Sequence, residues 1–200
     1  MAAELGYLSW IRGARPARVD LGWWGEFSLH DEGTLVFEIL GFPERALRLP
    51  MLLGGTPRLH YAFDAEAGDL LLVGDEGAGV FHVDLITMNY QLVASLRRWL
   101  DPLNRDYDPG GLYRLRLEPI DDDLLVEWEC GVLRVRTDGQ LVWQRQYPCW
   151  AYRDTIAEGV IWYEPNDATA APNQQRWGYR LSDGLPVPSE PAPWAGRSGP

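Results

Sequence analysis

The chain has 200 residues, a formal net charge of −11, 46% hydrophobic residues and ten tryptophans. This composition is typical of a soluble globular protein with a sizeable core, built as one domain or two small packed ones. The negative charge argues against direct binding to nucleic acid, and no apolar run approaches the roughly 18 to 20 residues of a membrane span.

The first part of the chain predicts one short helix followed by hairpins. Residues 4–12 carry a weak helical period. Residues 23–29 and 34–40 predict two strands joined by a turn. The adjacent Trp23 and Trp24 would then face opposite sides of a strand, so we expect one of them to be exposed or at an interface. Residues 57–85 consist of short apolar runs bounded by Asp and Gly, which is the clearest hairpin pattern in the chain.

After these hairpins the spacing of the apolar residues changes. Leu92, Leu96 and Trp99 repeat at intervals of three and four, with arginines on the other face. This pattern predicts an amphipathic helix over about residues 89–101, with Asn89 as its N-cap and with Leu96 and Trp99 buried.

The second half of the chain predicts only strands. Alternating segments bounded by Asp-rich turns occupy 113–118, 124–129, 132–136, 141–145, 156–164 and 176–181. The predicted fold class is therefore α+β, mostly antiparallel β-sheet with one main amphipathic helix. We expect a mixed β/α region at 1–103, an all-β region at 112–185 packed on it, and a disordered tail at 186–200.

Two segments of this second half resemble each other. Residues 132–139 and 177–184 both read as a strand that ends in a hydroxyl residue followed by Asp-Gly. Two copies are too few for a β-propeller, which needs at least about four blades, so they are interpreted as repeated hairpin chemistry.

The chain lacks the residues on which several enzyme classes depend. All eighteen basic residues are arginine, which excludes Schiff-base and P-loop lysines. The three histidines are scattered, and the run Asp121-Asp122-Asp123 lacks the alternating spacing of a calcium loop, so we predict no metal and no cofactor. Cys130 and Cys149 are interpreted as two reduced thiols in a cytoplasmic protein, with a single bridge as the alternative.

One carboxylate pair keeps a hydrolase open as an alternative. Glu127 and Glu129 are two residues apart on a predicted strand and therefore point to the same face, at a separation that fits an inverting glycosidase. A general acid needs a raised pKa and therefore burial. Because this strand face looks solvated, we predict no catalytic residues and no enzyme activity from it.

The acidic charge is concentrated in one stretch. Residues 61–130 hold fifteen Asp and Glu against five Arg. Such a field attracts a basic partner. The candidate partner-binding carboxylates are Asp64, Glu66, Asp69, Asp75 and Glu76.

Part of this stretch also resembles a known family. It contains Phe63-Asp64-x-x-x-Gly68, a glycine-rich turn from Asp75 to Gly79, Val83-Asp84, and a segment from Asn89 to Leu100. This order is similar to the central strands and following helix of the SUKH superfamily. The resemblance covers residues 59–100 and implies a bacterial immunity protein that neutralises a toxin.

The sequence therefore predicts an acidic cytoplasmic binding protein that inhibits or sequesters a basic protein partner, a toxin or a nuclease. Toxin immunity is its most specific form. We expect no direct binding to nucleic acid and none to a membrane. The alternatives are a nucleic-acid mimic that inhibits a defence nuclease, and a carboxylate-based hydrolase.

Overall fold

The protein is described by a computed structural model over residues 3–9, 15–30, 34–48, 58–74, 79–96, 115–128, 130–148, 151–165 and 176–187. These residues form seventeen β-strands and one 3-10 helix at Gly22–Trp24. All the strand pairs are antiparallel, and they build four sheets.

Each sheet is a meander of strands that are consecutive in the chain, with one addition. We number the sheets I to IV along the chain. Sheet I contains β2 (Ala17–Asp20), β3 (Gly25–Leu29), β4 (Thr34–Ile39) and β5 (Arg45–Arg48). Sheet II contains β6 (Arg58–Asp64), β7 (Asp69–Gly74), β8 (Gly79–Asp84) and β9 (Asn89–Ser95), and β1 (Glu4–Ser9) pairs with β6 as its fifth strand.

The C-terminal sheets repeat this plan. Sheet III contains β10 (Arg116–Ile120), β11 (Asp123–Trp128), β12 (Gly131–Arg136) and β13 (Leu141–Gln146). Sheet IV contains β14 (Ala151–Ala157), β15 (Val160–Pro165), β16 (Trp177–Arg180) and β17 (Pro186–Val187).

The four sheets pack face to face in the order I, II, III, IV. One core cluster joins sheets I and II, a second joins II and III, and a third joins III and IV. Four-stranded meanders stacked in this way are the arrangement of blades in a β-propeller.

Strand β7 shows why the central runs are apolar without interruption. Leu70 and Leu72 pack in the cluster with sheet I, whereas Leu71 and Val73 pack in the cluster with sheet III. Successive side chains of a strand point to opposite faces. Because both faces of sheet II are covered, every position from 70 to 73 is buried.

The prediction of an α+β fold with a main helix at 89–101 is wrong. The structure describes residues 89–96 of that segment, and Asn89–Ser95 form strand β9, which pairs with β8 from Asp84↔Asn89 to Gly79↔Ser95. Leu92, on the predicted apolar helix face, is 54% exposed, and Trp99 lies outside the described residues.

The physical reason is that the apolar spacing fits both structures. Ala94 and Leu96 are also two residues apart, so they share one side of a strand, where both are buried. Leu92 lies on the other side, because the pairing with β8 shifts by one residue between Val80 and Phe81. Tyr90 and Val93 favour strand, and the unpaired edge of β8 supplies the hydrogen bonds.

The predicted N-terminal helix is also a strand where it is described. In β1, Leu5 packs in the cluster with sheet III and Leu8 packs in the cluster with sheet I. Side chains on opposite faces of a strand are an odd number of positions apart, and Leu5 and Leu8 are three positions apart.

The two similar segments of the second half occupy equivalent places. Residues 132–136 lie in β12 and residues 177–180 form β16, and each is the third strand of its meander. The similarity therefore marks a position that the architecture repeats. The boundary predicted between residues 103 and 112 lies outside the described residues, as do residues 188–200 of the predicted tail. The prediction of disorder is wrong for the first two residues of that tail, Pro186–Val187, which form strand β17 and pair with β16.

Candidate functional sites at the two ends of the stack

Eight hairpin turns lie at one end of the stack, which we call the turn end. They connect the first strand to the second and the third strand to the fourth in each meander. Hydrogen bonds join turns of neighbouring sheets: Trp24 Nε1 to the Ala65 carbonyl at 2.8 Å, Thr137 Oγ1 to Asp64 Oδ2 at 3.5 Å, and Arg134 Nη1 to the Leu181 carbonyl at 3.1 Å.

Glycine allows the turns of sheets II and III to approach closely. Gly139, in the turn between β12 and β13, has a φ of +81°, a conformation that side chains disfavour. A Cβ atom there would lie 2.6 Å from Cβ and Cγ of His82. His82 Nε2 lies 2.7 Å from Asp69 Oδ1, so this turn covers a nearly buried histidine–carboxylate pair.

Aspartate closes five of the eight turns. Each carboxylate accepts a hydrogen bond from the backbone N–H two residues later, as Asx-turns do. The donor–acceptor pairs are Gly22 to Asp20, Glu66 to Asp64, Ile86 to Asp84, Gln140 to Asp138 and Leu185 to Asp183, all within 3.0 Å. Burial alone would raise the pKa of Asp84, but hydrogen bonds from Thr87 and Ile86 lower it overall.

The turn end carries a surplus of exposed acid. Among the described residues of these turns and the strand ends beside them, the exposed acids outnumber the exposed arginines. The acids are Asp20, Glu44, Glu66, Asp121, Asp122, Asp138, Glu158 and Asp183, and the arginines are Arg45, Arg136 and Arg180.

A cavity of about 230 Å³ opens between the turns of sheets II and III. Carboxylate-bearing residues dominate its lining: Asp64, Asp121, Asp122 and Asp123, beside Thr137. Arg134 forms ion pairs with Asp121 and Asp123 and offsets part of this charge. Within the described ranges, no group of His, Cys, Asp and Glu is arranged to hold a metal ion.

The structure describes three of the five carboxylates predicted to bind a partner. Asp64, Glu66 and Asp69 lie at the turn end, where Asp64 and Asp69 are opposite each other on β6 and β7. Glu66 is exposed, but Asp64 closes its turn and Asp69 pairs with His82. Asp75 and Glu76 lie outside the described residues, and their flanking strand ends, Gly74 and Gly79, are at the opposite end of sheet II.

Exposed apolar side chains accompany the acids. Trp23 is 66% exposed and packs against the buried Trp24, with ring centroids 4.3 Å apart and an angle of 32° between the ring planes. The expectation that one of the two tryptophans is exposed is confirmed, although they lie in the 3-10 helix and not in a strand. Further exposed apolar residues of this end are Leu40, Phe42, Ile86 and Leu185.

A second site lies between sheets III and IV, away from the turn end, and we call it the far-end pocket. Its cavity measures about 200 Å³ and is lined by Arg116, Glu127, Trp128, Tyr147, Ala151, Tyr152, Arg153 and Tyr163. Glu127 near the end of β11 points toward sheet IV, where Arg153 and Tyr163 face it from β14 and β15.

Glu127 is at the centre of a polar network. Tyr163 donates a hydrogen bond to its Oε1 at 2.8 Å, and Arg153 Nη1 lies 3.0 Å from its Oε2. Arg153 also donates to Glu118 at 2.6 Å, and Arg116 pairs with Glu118 at 3.0 Å. Burial raises the pKa of Glu127, and the opposing effects of Arg153 and Tyr163 do not reverse this.

The interpretation of this strand face as solvated is wrong for Glu127, which is 8% exposed. Sequence reasoning missed the site because Arg153 and Tyr163 follow Glu127 by 26 and 36 residues and belong to another sheet. The period-two pattern placed Glu127 on one face but carried no signal that sheet IV covers it. Glu129 lies outside the described residues.

Comparisons with known proteins place the chain in no family. No family model matches it, and no curated protein matches it. Among solved structures, it is similar to the AfRom2 CNH domain with a TM-score of 0.31 and 10% sequence identity. That match covers 82% of this chain and 66% of the other, so the chain spans about two thirds of that domain.

In the described residues, no helix is both long enough and apolar enough to cross a membrane.

Proposed function

We propose that the chain is an acidic binding protein that captures a basic protein partner on its turn end. The supporting observation is that eight acidic residues but only three arginines are exposed among the described residues of this end. Such a surface speeds encounter with a cationic partner and selects against nucleic acid. A cytoplasmic inhibitor of a bacterial toxin is the most specific form of this proposal.

The exposed apolar residues supply the second half of the proposed contact. Interfaces gain most of their binding energy from a few buried aromatic anchors, with charges at the rim mainly setting the association rate. Trp23 is the largest exposed apolar side chain of the turn end, and its ring packs against the buried ring of Trp24. The partner would present an apolar pocket surrounded by Arg or Lys.

The turn-closing role of aspartate offers a competing explanation for the acidic charge. Five aspartates accept backbone hydrogen bonds, which is sufficient reason for their presence. A test must therefore change acids outside that set. Glu66 and Asp122 are exposed at the turn end and do not belong to the five.

The experiment is affinity capture from a native lysate followed by association kinetics with the protein identified. We compare the wild type with Glu66→Arg/Asp122→Arg and with a control, Asp154→Arg/Glu164→Arg, that makes the same change in net charge at exposed positions on β14 and β15 away from the turns. We expect the turn-end double variant to lose most of its association rate and salt dependence, and the control to keep both. Equal losses in the two variants would contradict a specific site on the turn end.

A hydrolase remains the second candidate because of Glu127. Its carboxyl group lines a cavity and its pKa is raised, as a general acid requires. A panel of glycosidase and esterase substrates tests this reading with the wild type and Glu127→Gln. Activity that this substitution abolishes would favour the enzyme over the binding protein.

A further inference from the structure

We infer that the far-end pocket binds a neutral, hydroxylated small molecule of about the size of one sugar ring. This site is separate from the turn end and does not depend on the proposed capture of a basic partner.

The first observation is a buried donor without a hydrogen bond. Arg153 Nη1 is inaccessible to solvent and has no hydrogen-bond partner, although Glu127 Oε2 lies 3.0 Å away. The two atoms therefore attract by charge, but the N–H bonds do not point at that oxygen. A buried donor left in this state costs about 1 to 3 kcal/mol, which a ligand oxygen in the pocket would recover once the Arg153 guanidinium turns toward it.

The second observation is the chemistry of the neighbouring groups. A guanidinium only donates hydrogen bonds and a carboxylate only accepts them. Here the two stand side by side, with one carboxylate oxygen already accepting from Tyr163. A hydroxyl group both donates and accepts, so adjacent hydroxyls match Arg153 and Glu127 together.

The charge balance of the pocket favours a neutral ligand. Arg116 and Arg153 carry two positive charges, and Glu118 and Glu127 carry two negative charges when ionised. An anion in the pocket would be attracted by the two arginines and repelled by the two carboxylates, and a cation would be attracted by the carboxylates and repelled by the arginines. Hydrogen bonding to a polyol avoids this conflict because it needs no net charge.

The size of the cavity limits the ligand. Its volume of about 200 Å³ is below the roughly 300 to 1,000 Å³ of drug-sized pockets. The rings of Tyr147 and Tyr163, with centroids 4.7 Å apart, form an apolar part of the lining. Such a site fits one ring with an apolar face and a hydroxylated edge.

The test uses saturation-transfer NMR on the full chain with methyl glucoside, methyl galactoside, methyl mannoside and myo-inositol. Benzoate and butylammonium serve as charged probes of similar size. We expect at least one polyol to bind with a Kd on the order of 1 mM and neither charged probe to do so. Binding of a charged probe in preference to all four polyols would overturn the inference, as would no polyol binding at all.

Two variants assign the binding to this pocket. Ala151→Phe places a ring in the cavity and leaves the polar network in place, so binding should be lost. Ala157→Phe, at an exposed position at the other end of β14, is its matched control and should bind as the wild type does. Polyol binding that survives Ala151→Phe in a folded protein would place the ligand elsewhere and overturn the assignment.

If Ala151→Phe fails to fold, Glu127→Gln is the second variant that tests whether the polyol binds in the far-end pocket. The glutamine side chain has the same shape as glutamate, and its amide oxygen can still accept the hydrogen bond from Tyr163. Its NH₂ group replaces the second carboxylate oxygen, so a donor takes the place of an acceptor beside Arg153. We expect about a tenfold loss of polyol affinity, the usual scale for one hydrogen bond to a charged group. Unchanged affinity in this variant would count against the proposed contacts.

Discussion

The interface between sheets II and III and the interface between sheets III and IV hold the same stack together by different means. The first is almost wholly apolar, with Leu71 and Val73 from sheet II packed against Leu133 and Val135 from sheet III. The second is rich in tyrosine and tryptophan and encloses the pair of Glu127 and Arg153. Apolar packing stabilises without direction, whereas hydrogen-bonded polar groups fix one orientation and leave room for a ligand.

Leu133→Ala gives the largest effect that we expect, because Leu133 is fully buried between sheets II and III. Removing such a side chain leaves a cavity and should lower the free energy of unfolding by about 2 to 5 kcal/mol. Chemical denaturation measures the loss. Leu185→Ala, at a position 44% exposed, is the control and should change stability by less than about 0.5 kcal/mol.

Glu127→Ala should have the second-largest effect and lower the free energy of unfolding by about 1 to 3 kcal/mol. The substitution leaves the buried hydroxyl of Tyr163 without its acceptor. Glu127→Gln should cost less than Glu127→Ala, since glutamine keeps that acceptor. A loss as large in the glutamine variant would mean that the negative charge itself stabilises this interface.

The pH dependence of stability tests the same residue. Burial raises the pKa of Glu127 above its ordinary value of 4.5, so ionisation is more costly in the folded protein than in the unfolded chain. Its contribution to stability is therefore largest below pH 4.5 and falls as the pH rises through the folded pKa. We expect Glu127→Gln to remove this fall in denaturation curves recorded across that range, and an unchanged pH profile would contradict the raised pKa.

Gly139→Ala tests the close approach of sheets II and III at the turn end. The added methyl group would meet His82 in a backbone conformation that alanine disfavours. We expect a loss of about 1 to 3 kcal/mol in thermal or chemical unfolding. Gly159→Ala is the matched control, because Gly159 has a similar φ of +74° but open space around it. Equal losses in the two variants would assign the effect to backbone strain alone.

Asp64→Ala should have the smallest effect and lower the free energy of unfolding by about 0.5 to 1.5 kcal/mol. The substitution removes the acceptor for the N–H groups of Glu66 and Ala67. Asp64→Asn keeps an acceptor oxygen and removes the charge. A stability loss in the alanine variant only would show that the carboxylate serves the turn, and a loss of partner capture in both would show that its charge serves binding.

The single strand predicted at 156–164 is two strands, β14 and β15, joined by a turn. Elsewhere in the second half, local signals in the sequence determined strands β10 to β13, strand β16 and the Asp and Gly turns. These features depend on alternation and on turn chemistry, which act over two to four residues. The partner-binding carboxylates were predicted only in part, since Asp64 and Asp69 also have contacts within the fold.

Only the tertiary structure decided the rest. The segment from Asn89 to Leu96 fits a helix or a strand by its apolar spacing, and it becomes a strand because β8 offers an edge to pair with. Leu5 and Leu8 take opposite faces because sheets I and III cover both sides of sheet II. Glu127 is an ordinary strand carboxylate in the sequence and becomes a buried, ion-paired group because sheet IV brings Arg153 and Tyr163 against it. Pairing and burial depend on segments far apart in the chain, and no local pattern encodes which surface will cover which.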